Sequence, residues 1–275
     1  MPAPNVLAAE RLFRLVGRPD TPVLIDVRSD KDASADPRVL PGARRKPAET
    51  VADWGPGLSG QSAVVYCAEG HARSEGVAAW LRALGVSAEI LAGGFAGWRA
   101  AELPLVPEER IPSLDDTGAT LWVTRSRPKI DRIACPWLIR RFVDPTARFL
   151  FVTPAEVPGV AERFAATPFD IEGDDIFWSH RGERCTFDVM VEEFGLATEP
   201  LLRLATIVRG ADTARLDLAP EAAGLLAASL GLSRMYADDL EQLEAGMPLY
   251  DAFYRWCRDA TAETHNWPNK MMEAR

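Results

Sequence analysis

The chain has 275 residues, 47% of them apolar and 26% charged, a size and balance that suit two globular units. No run approaches the roughly 20 apolar residues a membrane helix needs, and no basic segment precedes an apolar core at the start, so neither a membrane partner nor a signal peptide is expected. The net charge of −9 makes nucleic acid an unlikely partner, because duplex binding depends on neutralising phosphates, and the acidity lies in the second half, residues 1–110 carrying only −1 of it.

In chain order, Val23-Leu24-Ile25-Asp26-Val27-Arg28 reads as a buried strand ending in an Asp-x-Arg pair. Leu40-Pro41-Gly42-Ala43-Arg44 reads as a turn. The apolar run Ala63-Val64-Val65-Tyr66 then leads into Cys67-Ala68-Glu69-Gly70-His71-Ala72-Arg73-Ser74. A thiol between a strand and a helix start lies where loop N–H groups converge on one spot. Their partial positive charge, with Arg73, is expected to favour the thiolate. Gly70 sits where the backbone must turn tightly. A helix follows with apolar Val77, Ala78, Trp80, Leu81 and Leu84, closed by Gly85. The strand Ala88-Glu89-Ile90-Leu91 precedes Gly93-Gly94-Phe95-Ala96-Gly97-Trp98.

This order of residues resembles a rhodanese domain. The resemblance implies a doubly wound parallel α/β sheet in which Cys67 carries a persulfide, with Cys67 and Arg73 catalytic. Ala68, Glu69, Gly70, His71, Ala72 and Ser74 would line the substrate, which is a small sulfur donor, and no cofactor is required. The Asp-x-Arg pair and the Gly-Gly-x-x-x-Trp stretch would support the fold. The run from Cys67 to Arg73 is seven residues, one longer than in most sulfurtransferase rhodaneses. It looks like the loop of rhodanese-fold phosphatases and arsenate reductases, which admits an oxyanion. Two chemistries therefore stay open: sulfane-sulfur transfer through a persulfide, or attack on an oxyanion that Arg73 neutralises. The His71 side chain would either orient substrate or face solvent. The four cysteines, at 67, 135, 185 and 257, form no Cys-x-x-Cys pair, which favours reduced thiols and a cytoplasmic setting.

Residues 108–119, polar with Pro and Gly, read as a linker. Residues 122–142 hold six basic residues and one acid. Arg125, Arg127, Lys129 and Arg132 there would either hold an anion or pair with the carboxylates of this acidic half. Pro136 suggests a helix that begins near Cys135 or kinks there. Cys135 and Cys257, among aromatic and aliphatic neighbours, read as core. A strand is expected at 148–152, a helix at 155–165, a strand pair at 169–172 and 176–180, and a helix at 186–194 stopped by Gly195. From Thr198, a helix N-cap, the chain reads as helical, with Gly231 and Gly246 as stops. This makes the second unit α+β and mostly helical.

The stretches Pro128-Lys129-Ile130-Asp131-Arg132-Ile133-Ala134-Cys135-Pro136-Trp137, His180-Arg181-Gly182-Glu183-Arg184-Cys185-Thr186-Phe187 and Ile207-Val208-Arg209-Gly210-Ala211-Asp212 resemble the C-terminal domain of the chromate-resistance (ChrB-type) family. That resemblance implies a part in chromate tolerance. The organisation expected is a rhodanese-like domain over 1–107, a linker over 108–119, a ChrB-type domain over 120–268 and a tail over 269–275. Glu172, His180 and Asp212 are ligand-type residues that could gather Zn²⁺, Mn²⁺ or Fe²⁺, with a hydrogen-bonded structural His180 as the alternative. Three functions follow: a sulfurtransferase linked to chromate resistance, an oxyanion reductase or phosphatase using the same loop, and a non-enzymatic chromate-responsive sensor. No feature specifies an oligomer.

Overall fold

A computed structural model describes residues 5–173 and 175–263 of the chain; the expected tail at 269–275 lies outside them. The first half contains β1 (Val6–Leu7), α1 (Ala9–Phe13), β2 (Val23–Asp26), α2 (Asp30–Ala35), β3 (Arg38–Val39), β4 (Arg44–Arg45), α3 (Val51–Trp54), β5 (Ser62–Tyr66), α4 (Ala72–Ala83), β6 (Ser87–Leu91), α5 (Gly94–Ala100) and β7 (Val106–Pro107). A five-stranded sheet in the order β1-β6-β5-β2-β4 is parallel throughout. Its central strands β2 and β5 are near-continuously apolar because both faces are covered. Side chains alternate between the faces. Ile25, Ala63 and Val65 pack with Val77, Ala78 and Leu81 of α4 on one side. Leu24, Val64 and Tyr66 pack with Leu12, Phe95 and Trp98 on the other.

The second half contains β8 (Leu121–Arg125), α6 (Asp131–Phe142), β9 (Arg148–Val152), α7 (Val157–Phe164), β10 (Thr167–Pro168), α8 (Thr186–Glu193), α9 (Glu199–Asp212), α10 (Ala222–Met235) and α11 (Asp239–Asp259). A small parallel sheet, β10-β8-β9, sits against this helical set. Several expectations are corrected here. The strand pair at 169–172 and 176–180 reduces to a single bridge between Phe169 and Trp178. α6 starts at Asp131 and carries Pro136 in its interior, where the ring removes one helical hydrogen bond. Gly231 and Gly246 do not stop helices but lie inside α10 and α11. Gly246 marks a close approach: a Cβ there would stand 2.6 Å from Ile133 Cγ2 on α6.

The halves share one continuous cluster of buried apolar side chains, from Leu12, Val16 and Trp98 into Trp137, Phe142 and Tyr254. Trp137, Phe142 and Tyr254 form an aromatic knot with ring centroids 5.4 to 5.7 Å apart. Gly17, at φ +80°, turns the chain against that knot, and a Cβ there would lie 2.3 Å from Phe142. Arg44 of β4 crosses to the buried Asp144, to Thr146 and to the Gly118 carbonyl. The segment read as a linker is also tied down. β7, just before it, pairs antiparallel with β3, and the Glu108 N–H donates to the Pro37 carbonyl at 2.9 Å.

Candidate active site

Cys67 follows β5 directly and shares a cluster with Ala63, Val65 and α4. Only 7% of its surface is exposed. Its Sγ lies 3.3 Å from the Ser74 hydroxyl and accepts the His71 backbone N–H at 3.4 Å. Burial pushes the thiol pKa up. The Ser74 hydroxyl and the backbone N–H groups of Ser74, His71 and Glu69 outweigh that push and hold it below its ordinary value.

The loop is held by backbone contacts that only glycine permits. Phe95 and Ala96 N–H groups donate to the Cys67 and Ala68 carbonyls, both at 2.9 Å. Gly70 (φ +77°) and Gly94 (φ +54°) approach each other so closely that a Cβ on Gly94 would lie 2.4 Å from the Cys67 carbonyl oxygen. Beside them Arg28 and Asp26 form a fully buried 2.7 Å ion pair. Arg28 also donates to the Asp36 and Arg38 carbonyls and lies 4.1 Å over the Phe95 ring. The Asp-x-Arg pair thus braces the end of β2 against α5.

Arg73 requires a correction. α4 begins at Ala72, so Arg73 lies in its first turn, and its guanidinium is engaged by groups other than the sulfur. Nε donates to the Val27 carbonyl at 2.6 Å and a terminal nitrogen pairs with Glu49 at 2.5 Å. The His71 side chain is 77% exposed, and the residue serves the site through its backbone, its N–H donating to Sγ and its carbonyl accepting the Ser74 hydroxyl at 3.0 Å. Among the described residues, the groups on the sulfur are one hydroxyl, amide hydrogens and, at 4.0 Å, the His71 carbonyl.

A second gathering of side chains lies in the other half. His180 Nε2 is 3.4 Å from Asp170 Oδ1, 3.4 Å from Asp212 Oδ2 and 3.7 Å from Asp131 Oδ2. Glu172 is exposed and takes no part, which corrects its expected place; the carboxylates that arrive instead are Asp131 and Asp170. Asp170 accepts the Thr186 hydroxyl at 2.9 Å and lies 3.3 Å from Arg132 and 3.6 Å from Arg125. Asp131, at the start of α6, accepts the Phe187 N–H at 3.3 Å. Burial, then the nearby Asp212 and Asp170 charges, push its carboxyl well above the usual range. The four basic residues considered as one anion site are divided. Arg125 and Arg132 stay on Asp170, the Arg127 guanidinium donates to the Ser233 carbonyl in α10 while its backbone N–H donates to Asp239 at the start of α11, and Lys129 faces solvent.

Residues 9–101 match the family model for the rhodanese-like domain, and residues 122–257 match that of the ChrB C-terminal domain. The chain joins a rhodanese-like domain to a ChrB C-terminal domain. Over 149 residues it is 36% identical to Protein ChrB of Cupriavidus metallidurans, a match covering 52% of this chain and 43% of that protein. The matched stretch thus spans less than half of that relative's length. Among solved structures, a rhodanese-related protein from Thermoplasma volcanium is 21% identical, covering 38% of this chain and 99% of that one at a TM-score of 0.33. A thiosulfate sulfurtransferase from Pseudomonas aeruginosa is 22% identical, covering 38% of this chain and 20% of that one at a TM-score of 0.33.

In the rhodanese-like domain the residues singled out from sequence divide by function. Cys67 and Ser74 meet directly, Glu69 and His71 contribute backbone N–H groups, and Gly70 makes the turn. Ala68 gives its carbonyl to Ala96, and Ala72 opens α4. In the ChrB C-terminal domain, sequence reasoning found His180 and Asp212 but passed over Asp131 and Asp170 as partners. The available signal was Asp131 as the lone acid in a basic stretch, at the first position of a helix with an apolar middle.

Proposed function

We propose that the rhodanese-like domain transfers sulfane sulfur through a Cys67 persulfide. The observation that carries this reading is the setting of the thiol, whose Sγ lies 3.3 Å from the Ser74 hydroxyl and accepts the His71 N–H at 3.4 Å. In the reaction the Cys67 thiolate attacks the outer sulfur of thiosulfate. An S–S bond forms at Cys67, the donor's S–S bond breaks, and sulfite leaves with the bonding pair. The terminal sulfur of the resulting Cys67–S–S⁻ then sits among the amide hydrogens that held the thiolate. An acceptor such as cyanide takes that sulfur as thiocyanate and returns the thiolate.

Arg73 is engaged by Val27 and Glu49 rather than by Sγ, which supports a transferred sulfur atom held at Cys67 by amide hydrogens. The near-closure of the thiol also favours a small transferred group. Nearby, a cavity of about 560 Å³ is lined by Arg28, Arg45, Lys46 and Arg73 against Asp30 and Glu49, a basic balance that suits an anionic donor. The ChrB C-terminal domain ties this activity to chromate exposure through its family resemblance.

Thiosulfate with cyanide is the direct assay. Thiocyanate formation by the whole chain, abolished in Cys67→Ser, is the expected result. Turnover of an aryl phosphate, or thiol-dependent reduction of arsenate or chromate, without thiocyanate would assign the loop to oxyanions. Chromate binding without any turnover would make the domain a sensor.

A further inference from the structure

One nitrogen in the ChrB C-terminal domain faces three carboxylates. His180 Nε2 stands 3.4, 3.4 and 3.7 Å from oxygens of Asp170, Asp212 and Asp131. N–H···O hydrogen bonds run from about 2.7 to 3.2 Å, so none of these separations is an ordinary one. Donor atoms that share one divalent ion at about 2.0 to 2.2 Å stand roughly 3 to 3.5 Å apart around a tetrahedral or octahedral shell. Two of the three separations fall in that range, and the third is slightly beyond it. One oxygen each from Asp131 and Asp170, with an imidazole nitrogen of His180, lie within 4.8 Å of one another.

A second observation is independent of this spacing. Asp131 is 1% exposed, and its Oδ1 has no hydrogen-bond partner among the described residues. A buried carboxylate oxygen without a donor is costly, and buried charges are paired or bound to metals. Oδ2 of the same group already accepts the Phe187 N–H and the Cys185 thiol, a weak donor, lies against the carboxyl group, so what Oδ1 lacks is a cation or a strong donor.

The surrounding groups are arranged as supports for such an ion. Arg132 and Arg125 lie on Oδ2 of Asp170, while Oδ1, 3.4 Å from His180, accepts the Thr186 hydroxyl and keeps a lone pair for the cluster. The Thr186 hydroxyl orients that same carboxylate. Contacts of this kind fix ligand orientation in metal sites. The His180 side chain is 42% exposed, so one side of the cluster opens to solvent.

We propose that Asp131, Asp170 and His180 bind a divalent first-row transition ion, with Asp212 as a further carboxylate at its edge. Oxygen and imidazole donors without a thiolate suit Mn²⁺ or Fe²⁺ and also accept Zn²⁺. The ion keeps an open coordination position on the solvent side.

Mn²⁺ is the probe. The full chain, stripped with chelator, is titrated with MnCl₂ while the free-ion signal is followed by electron paramagnetic resonance. The expected result is loss of about one equivalent of free Mn²⁺ per chain, with His180→Ala and Asp131→Asn each weakening binding at least about tenfold and Glu172→Ala leaving it unchanged. A wild-type chain that takes up no Mn²⁺ overturns the proposal, as does binding that a folded His180→Ala or Asp131→Asn variant leaves unchanged. Where Asp131→Asn fails to fold, the partly exposed His180→Ala decides.

Discussion

At the scale of single residues, the chemistry rests on how Cys67 is solvated. Burial opposes ionisation, and one hydroxyl with three backbone N–H groups overcomes it. The folded pKa therefore lies below the thiol's ordinary value, and the thiolate is lost as pH falls through that lower value. The rate of iodoacetamide alkylation at Cys67 is expected to rise with a midpoint below that of the unfolded chain. Ser74→Ala should move the midpoint up, while Arg73→Ala should leave it in place, since Arg73 contacts Val27 and Glu49. A midpoint that follows Arg73 instead would put the cation back at the sulfur. The position of Cys67 was legible because a strand, a thiol and a glycine-turned loop follow one another in the chain. The direction of Arg73 was not, because it depends on α4 opening at Ala72 and on Glu49 arriving from a distant segment.

At the scale of elements, apolar runs located the parallel strands well, with β9 matching its expected span and β2, β5 and β6 within two residues. Glycines were harder to read, because the same residue serves as a stop or as a contact. Gly195 does close α8, at φ +66°, whereas Gly246 lets α11 press on Ile133 of α6. A side chain at Gly246 must displace a stiff β-branched neighbour. Gly246→Val is expected to destabilise the protein by about 1–3 kcal/mol. Gly231 in α10 faces open space, with no described atom outside its own neighbours and helix backbone within 4 Å of where a Cβ would stand, so Gly231→Ala should stabilise by about 0.5–1 kcal/mol through helix propensity alone. Urea unfolding of the two variants checks both signs, and equal signs would contradict this account of the helix contacts. The carboxylates around His180 were illegible for a related reason. Asp131, Asp170 and Asp212 come from α6, the segment after β10 and α9, and only the tertiary fold brings them together.

At the scale of the whole molecule, composition and length suggested two units with separate cores, yet the largest buried cluster runs through both halves. Gly17 against Phe142, and Arg44 against Asp144, tie the rhodanese-like domain to the ChrB C-terminal domain. A single cooperative unfolding transition is therefore expected by calorimetry, with loss of thiol protection and of helical signal at one temperature. Trp137→Ala, at the centre of the aromatic knot, should cost about 3–5 kcal/mol and lower that one transition; two separate transitions in the wild type would contradict the shared core. The central claim, that Cys67 is a persulfide-forming nucleophile, is tested most directly by intact mass after incubation with thiosulfate. The account predicts a gain of one sulfur atom, located to the Cys67 peptide, removed by cyanide and absent in Cys67→Ser. An unchanged mass, or a sulfur carried on another cysteine, would contradict it.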